Sequence, residues 1–160
     1  AKRDPQTRQT ADHSMLFIIA AILEKAYRTQ IASWKDLMLL PADYSTEQIQ
    51  NRTIRSLMEK IDVRHGGPSY DQRYPEGIPT SIRLQHDELG TVDSGLIMYP
   101  LGHSKSDFLV TKDILRTKID SLASQGSDEP QAIMSRCEDL QNASTEEVQS
   151  LYSFNLRIPT

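Results

Sequence analysis

The chemistry-bearing side chains of this chain are few, and they are dominated by four histidines: His13, His65, His86 and His103. None stands at a metal-ligand spacing such as His-x-x-x-His from another, so the histidines form no zinc pattern. The strongest local signal is Tyr99-Pro100-Leu101-Gly102-His103-Ser104-Lys105, where a Gly-His pair directly follows an expected strand and a lysine comes two residues later. Loops after strands often carry function because the scaffold holds them still. Gly102 permits close backbone approach, and His103 and Lys105 could meet an anionic ligand. The plainer alternative is a turn of solvated polar residues. His13 stands at the start of an apolar helix, where it is either a locally hydrogen-bonded polar residue or a ligand-facing one.

The other candidates are weaker. His86 ends an expected strand and reads as a half-exposed sheet residue. Arg64-His65-Gly66-Gly67 lacks the glycine spacing and the following helix that cradle a phosphate. Arg83 reads as part of a solvated strand face. Cys137 shares a helix side with Ile133 and Leu140, which predicts a buried thiol rather than a nucleophile. No nucleophile with an adjacent base emerges from spacing.

The elements that must position these groups follow from periodicity. Thr10 precedes a helix whose run Met15–Leu23 is apolar on every side, a pattern that demands cover all round. Ser45-Thr46-Glu47-Gln48 has the capping-box form, and Ile54, Leu57, Met58 and Ile61 then recur at helical spacing to about Lys60. From Ile61 to His65 the residues alternate, until Gly66-Gly67-Pro68 stops them. Thr80–His86 alternates again, Asp87-Glu88-Leu89-Gly90 reads as a turn, and Thr91–Tyr99 as the partner strand. Tyr70–Gly77 between them is a Pro/Gly-punctuated loop. Thr111 can cap a helix presenting Leu115, Ile119 and Leu122, which Gly126 ends. Pro130 then opens a helix with Ile133, Met134 and Cys137, and Ser144-Thr145-Glu146-Glu147 is a second capping box. Helices, a short antiparallel sheet and further helices make an α+β pattern: a small antiparallel sheet packed with helices, followed by C-terminal helices.

Composition bounds the function. The 160 residues suit one ordinary domain, and 38% hydrophobic residues are enough for a core. A net charge of −4 argues against a dedicated nucleic-acid binder. The single cysteine excludes an internal disulfide framework and an iron–sulfur cluster held by this chain alone. The longest apolar run, Met15–Leu23, is well short of the roughly twenty residues that span a membrane. No signal-peptide pattern precedes it, so the glycosylation-like Asn51-Arg52-Thr53 and Asn142-Ala143-Ser144 read as chance matches. The missing initiator Met suggests a processed product or an excised piece.

Several stretches together resemble the MmgE/PrpD family, which includes 2-methylcitrate dehydratase and cis-aconitate decarboxylase. Thr10-Ala11-Asp12-His13-Ser14 before an apolar helix is similar to that family's Asp/Arg-x-His helix start. Lys60-Ile61-Asp62-Val63 followed by Tyr74-Pro75-Glu76-Gly77-Ile78-Pro79 resembles its strand and tyrosine-proline loop. Most specific are Tyr99-Pro100-Leu101-Gly102-His103 and the helix Thr111–Ala123, which resemble its Pro-x-Gly-His element and the helix after it. The resemblance covers nearly the whole chain but only part of the family's protein, whose members are longer, with a large helical domain and a smaller α+β lid. It implies that residues 1–107 are the later part of the lid, and that residues 108–160 are helices returning to pack on the large domain. It also implies cofactor-free dehydration or decarboxylation of a tricarboxylate, with His103, Lys105 and His13 as substrate-binding candidates and no firm catalytic residue in this portion.

Two departures bear on the substrate. Where the family often has an active-site tyrosine, four residues after the helix-start histidine, this chain has Phe17. The basic run that follows Gly-His in dedicated 2-methylcitrate dehydratases is here Ser104-Lys105-Ser106. A homodimer is expected, with no nucleic-acid or membrane partner, and the resemblance implies a location in the mitochondrial matrix of a eukaryote or the cytoplasm of a bacterium. The alternative from another class is a non-catalytic α+β interaction or dimerisation module, whose partner covers the apolar helix.

Overall fold

Two threonines set the first helical turn. In a computed structural model that describes residues 3–157, α1 (Arg8–Ala11) starts at Thr7, whose hydroxyl accepts from the Thr10 amide at 3.3 Å, while the Thr10 hydroxyl accepts from the Thr7 amide at 2.9 Å. The next helix, α2 (Met15–Thr29), is capped separately by Ser14, whose backbone is extended and whose hydroxyl accepts from the Phe17 amide at 3.3 Å. Asp12 and His13 therefore lie in the turn between two helices, and not in the first turn of a single one. Gln30, at φ 57°, ends α2 in the left-handed region.

The described chain divides into two compact units, Ala1–His65 and Gly66–Thr160. In the first, α3 (Trp34–Leu37) and a 3-10 turn at Pro41–Tyr44 lead to α4 (Thr46–Ile49) and α5 (Arg52–Glu59). Ser45 caps α4 as its sequence predicts. The helix expected to continue to Lys60 is broken by Asn51, whose side-chain oxygen accepts from the amides of Thr53 at 2.9 Å and Ile54 at 3.3 Å and starts α5 afresh.

The core forms where α2 packs on α5: Leu16, Phe17, Ala20 and Ala21 meet Ile49, Ile54 and Met58, with Ala11 beside them. Burying a side chain the size of Phe17 removes about 1.5–3 kcal/mol of apolar exposure from water. Its ring packs against that of Tyr44 at 5.8 Å. Burial, followed by the nearby carboxylates of Asp12 and Asp43, raises the pKa of the Tyr44 phenol. The cover expected all round α2 exists on one face, since Met15, Leu23 and Tyr27 are exposed. Around the core, Lys25 pairs with Asp43 at 2.9 Å, and Arg55 binds Asp4, the Pro5 carbonyl and the Ile49 carbonyl.

Residues 61–65 alternate in type yet form no strand. In the second unit, α6 (Pro68–Asp71) occupies the start of the expected loop. A two-stranded antiparallel sheet follows, β1 (Arg83–His86) against β2 (Gly90–Asp93), with Leu84 opposite Val92. An isolated bridge between Thr80 and Ile97 extends the pairing along the expected strands. Between them Ser94 interrupts, its hydroxyl accepting from the Ile82 amide at 2.8 Å. Every residue of both strands is exposed.

The long helix α7 (Phe108–Gly126) is capped by Asp107 rather than Thr111. The Asp107 carboxylate accepts from the amides of Leu109 and Val110 at 2.8 and 3.2 Å, while Thr111 sits one turn inside and donates back to the Asp107 carbonyl. The expected division at 107–108 lies inside the second unit, at the first residue of this helix. Pro130 opens α8 (Pro130–Glu138) from the first turn, and Ser144 and Glu147 complete a reciprocal cap on α9 (Thr145–Gln149). Cys137, expected to be buried, is exposed. The chain is α+β.

Candidate functional site

Two stretches of backbone run side by side in the second unit. The Ile78 amide donates to the Met98 carbonyl at 2.9 Å, and Thr80 and Ile97 exchange hydrogen bonds at 2.9 and 2.8 Å. This approach requires Gly77: a Cβ there would stand 2.8 Å from both the Met98 carbonyl oxygen and its Cε. The Tyr74–Pro75 peptide in the same loop is cis. The close contact brings Glu76 from one stretch within reach of the loop that follows the other.

That loop turns at Pro100, where the His103 amide donates to the Pro100 carbonyl at 3.0 Å and Gly102 adopts φ 93°, a value that favours glycine. The Ser106 hydroxyl donates to the His103 carbonyl at 2.6 Å and closes the next turn. Within the turn, the Lys105 backbone amide donates to His103 Nδ1 at 3.1 Å. A backbone N–H can only donate, so Nδ1 is an acceptor and the neutral ring carries its proton on Nε2. The imidazole stacks on the Tyr99 ring, with centroids 4.9 Å apart and planes 24° apart.

Lys105 completes the group. Its ammonium pairs with the Glu76 carboxylate and reaches the Tyr99 hydroxyl at 3.5 Å, 5.3 Å from the centre of that ring. The hydrogen bond from Lys105 holds the Glu76 carboxyl below its ordinary pKa, and the Glu76 carboxylate holds the Lys105 ammonium above its own. The result is a cation and a neutral N–H donor on one short loop, both accessible, which is the equipment for binding a carboxylate.

His13 belongs to the first unit and has the opposite arrangement. Its Nδ1 lies 2.5 Å from Asp12 Oδ1 and 3.2 Å from the Gln9 carbonyl oxygen. Both partners accept, so Nδ1 carries a proton and is the donor. The side chain is 72% exposed.

Of the expected binding residues, His103 and Lys105 thus come together, and His13 is placed in the other unit. Glu76 and Tyr99 were not foreseen as their partners. Both stand within motifs that spacing singles out, but Glu76 is 29 residues from Lys105, and no local signal reports a contact at that distance. His86 accepts the amides of Glu88 and Leu89 at its Nδ1 and ends β1 as an exposed turn residue. Arg83 pairs with Asp93 across the hairpin. Phe17 is fully buried in the core, so its position offers neither hydroxyl nor access. Among the described residues, no three or more His, Cys, Asp or Glu side chains gather to hold a metal ion, and no helix is long and apolar enough to cross a membrane.

No curated protein and no solved structure matches the chain. Residues 1–140 match the MmgE/PrpD C-terminal domain, a span that includes the whole loop group and His13.

Proposed function

Since this chain belongs to the MmgE/PrpD family, we propose that it is the C-terminal portion of a hydro-lyase that dehydrates 2-methylcitrate or a related tricarboxylate without a cofactor, and that it is inactive alone. The observation that carries this reading is that one short loop holds both the Lys105 ammonium and the His103 ring, whose Nδ1 accepts the Lys105 amide and so leaves Nε2–H as a donor. Loss of water from a hydroxylated tricarboxylate removes a proton from a carbon next to a carboxylate and delivers a proton to the departing hydroxyl. Carboxylates that stay behind need cations and donors that are already in place. Lys105 and His103 supply these for one carboxylate. His13 is a separate substrate-binding candidate, whose Nε2 is the ring atom not engaged by Asp12 and the Gln9 carbonyl. The remaining acid and base groups come, on this proposal, from a large helical domain of the full-length protein. That protein is a homodimer of the mitochondrial matrix in a eukaryote or of the cytoplasm in a bacterium.

The test is dehydration of 2-methylcitrate, with citrate in parallel, by the full-length protein and by its His103→Ala variant. Losing one hydrogen-bond donor to a carboxylate is expected to lower kcat/KM by about tenfold or more. An unchanged kcat/KM would remove His103 from the site. A second reading is favoured by Met15, Leu23 and Tyr27, exposed along the apolar helix α2. They suit a non-catalytic module whose partner covers that helix, and a native protein without dehydratase activity on either substrate would support it.

A further inference from the structure

Tyr99 touches both residues of the proposed carboxylate site, and through different parts of its side chain. Its ring stacks on His103 at 4.9 Å, while its hydroxyl lies 3.5 Å from the Lys105 ammonium. The backbone beside it is held by the Ile78 amide on the Met98 carbonyl, and a Cβ at Gly77 would come within 3.4 Å of its ring. The backbone before Tyr99 is therefore held, and its ring presents its face to His103 and its hydroxyl to Lys105.

We infer that Tyr99 is a positioning residue, which sets His103 and Lys105 as two ready donors for one substrate carboxylate. The inference rests on the reading that these two residues bind substrate. The stack restricts rotation of the imidazole, so that Nδ1 stays on the Lys105 amide and Nε2–H remains the donor. An ammonium has three N–H donors. Glu76 takes one and the Tyr99 hydroxyl a second, which leaves the third for a ligand on a side chain whose rotamer is already chosen. A flexible lysine would lose that freedom only on binding, and affinity would fall accordingly.

The experiment uses the full-length protein with 15N-labelled histidine, and the variants Tyr99→Phe and Tyr99→Leu. The ring nitrogens of His103 report its tautomer without substrate, and steady-state dehydration of 2-methylcitrate separates KM from kcat. Tyr99→Phe keeps the stack and should leave the His103 signals as they are, while KM rises by about threefold through loss of the hydroxyl contact. Tyr99→Leu should move those signals toward a mixture of tautomers and raise KM by about tenfold, with a smaller change in kcat. Unaltered His103 signals in a folded Tyr99→Leu protein would overturn the inference, as would a fall in kcat at constant KM. If the leucine variant does not fold, Tyr99→Met gives the same comparison. Should His103→Ala retain full activity, the substrate-binding reading fails, while the ring signals still decide whether Tyr99 fixes the imidazole.

Discussion

Glu76 and Lys105 hold each other charged across the neutral range, and the shifts fix where this ends. The Glu76 pKa lies below its ordinary 4.5, chiefly through the hydrogen bond from Lys105. Its contribution is thus fully present above that ordinary value and is lost as pH falls through the lowered one. The Lys105 pKa lies above its ordinary 10.5, chiefly through Glu76, so its contribution is present below that value and is lost as pH rises through the raised one. Both side chains are exposed, and exposed pairs add little to stability. Glu76→Gln should accordingly leave the melting temperature nearly unchanged while Lys105 titrates at lower pH, which NMR of its ε-carbon would follow. A Lys105 titration identical to that of the wild type would show that the pair does not form in solution. A Gly-His pair after a strand is visible in a list of residues, and so His103 and Lys105 could be picked out. The groups that orient them could not, because the Glu76 contact depends on two strands meeting at a glycine.

Among the elements, end signals proved readable where a side chain caps its own helix. Ser45, Pro130 and the Ser144–Glu147 box all act as their types predict. Misreadings arose where two polar residues compete. Asp107 sits just outside α7 and reaches two amides at once, whereas Thr111 is already within hydrogen-bonding distance of a carbonyl one turn back. Asn51 similarly wins over continuation of α4. The alternation at 61–65 is the opposite lesson, since a strand needs a neighbour and periodicity alone supplies none. The cap on α2 gives a direct check. Ser14 is buried and its hydroxyl receives the Phe17 amide, so Ser14→Ala should cost about 1 kcal/mol in a urea melt. No loss would mean that the Asp12–His13 turn alone sets the helix start.

Across the whole chain, burial is unevenly shared. Among the described residues the buried hydrophobic ones belong to Ala1–His65, while β1, β2 and α7 leave Leu84, Val92, Phe108, Leu109 and Leu115 exposed. Composition could not foretell this, because an average apolar content says nothing of where the apolar residues are covered. Cys137 belongs to the same exposed portion, and it is the only thiol in the sequence. A maleimide dye should therefore attach at one position, in the folded chain, without any substitution. If the C-terminal helices dock on a large helical domain as proposed, the labelling rate at Cys137 in the full-length protein should fall well below that in this chain, and equal rates at this position would argue against such docking at α8. A residue that invited a structural role thus becomes a built-in reporter, turning an assembly question into a stopwatch reading on a single sulfur atom.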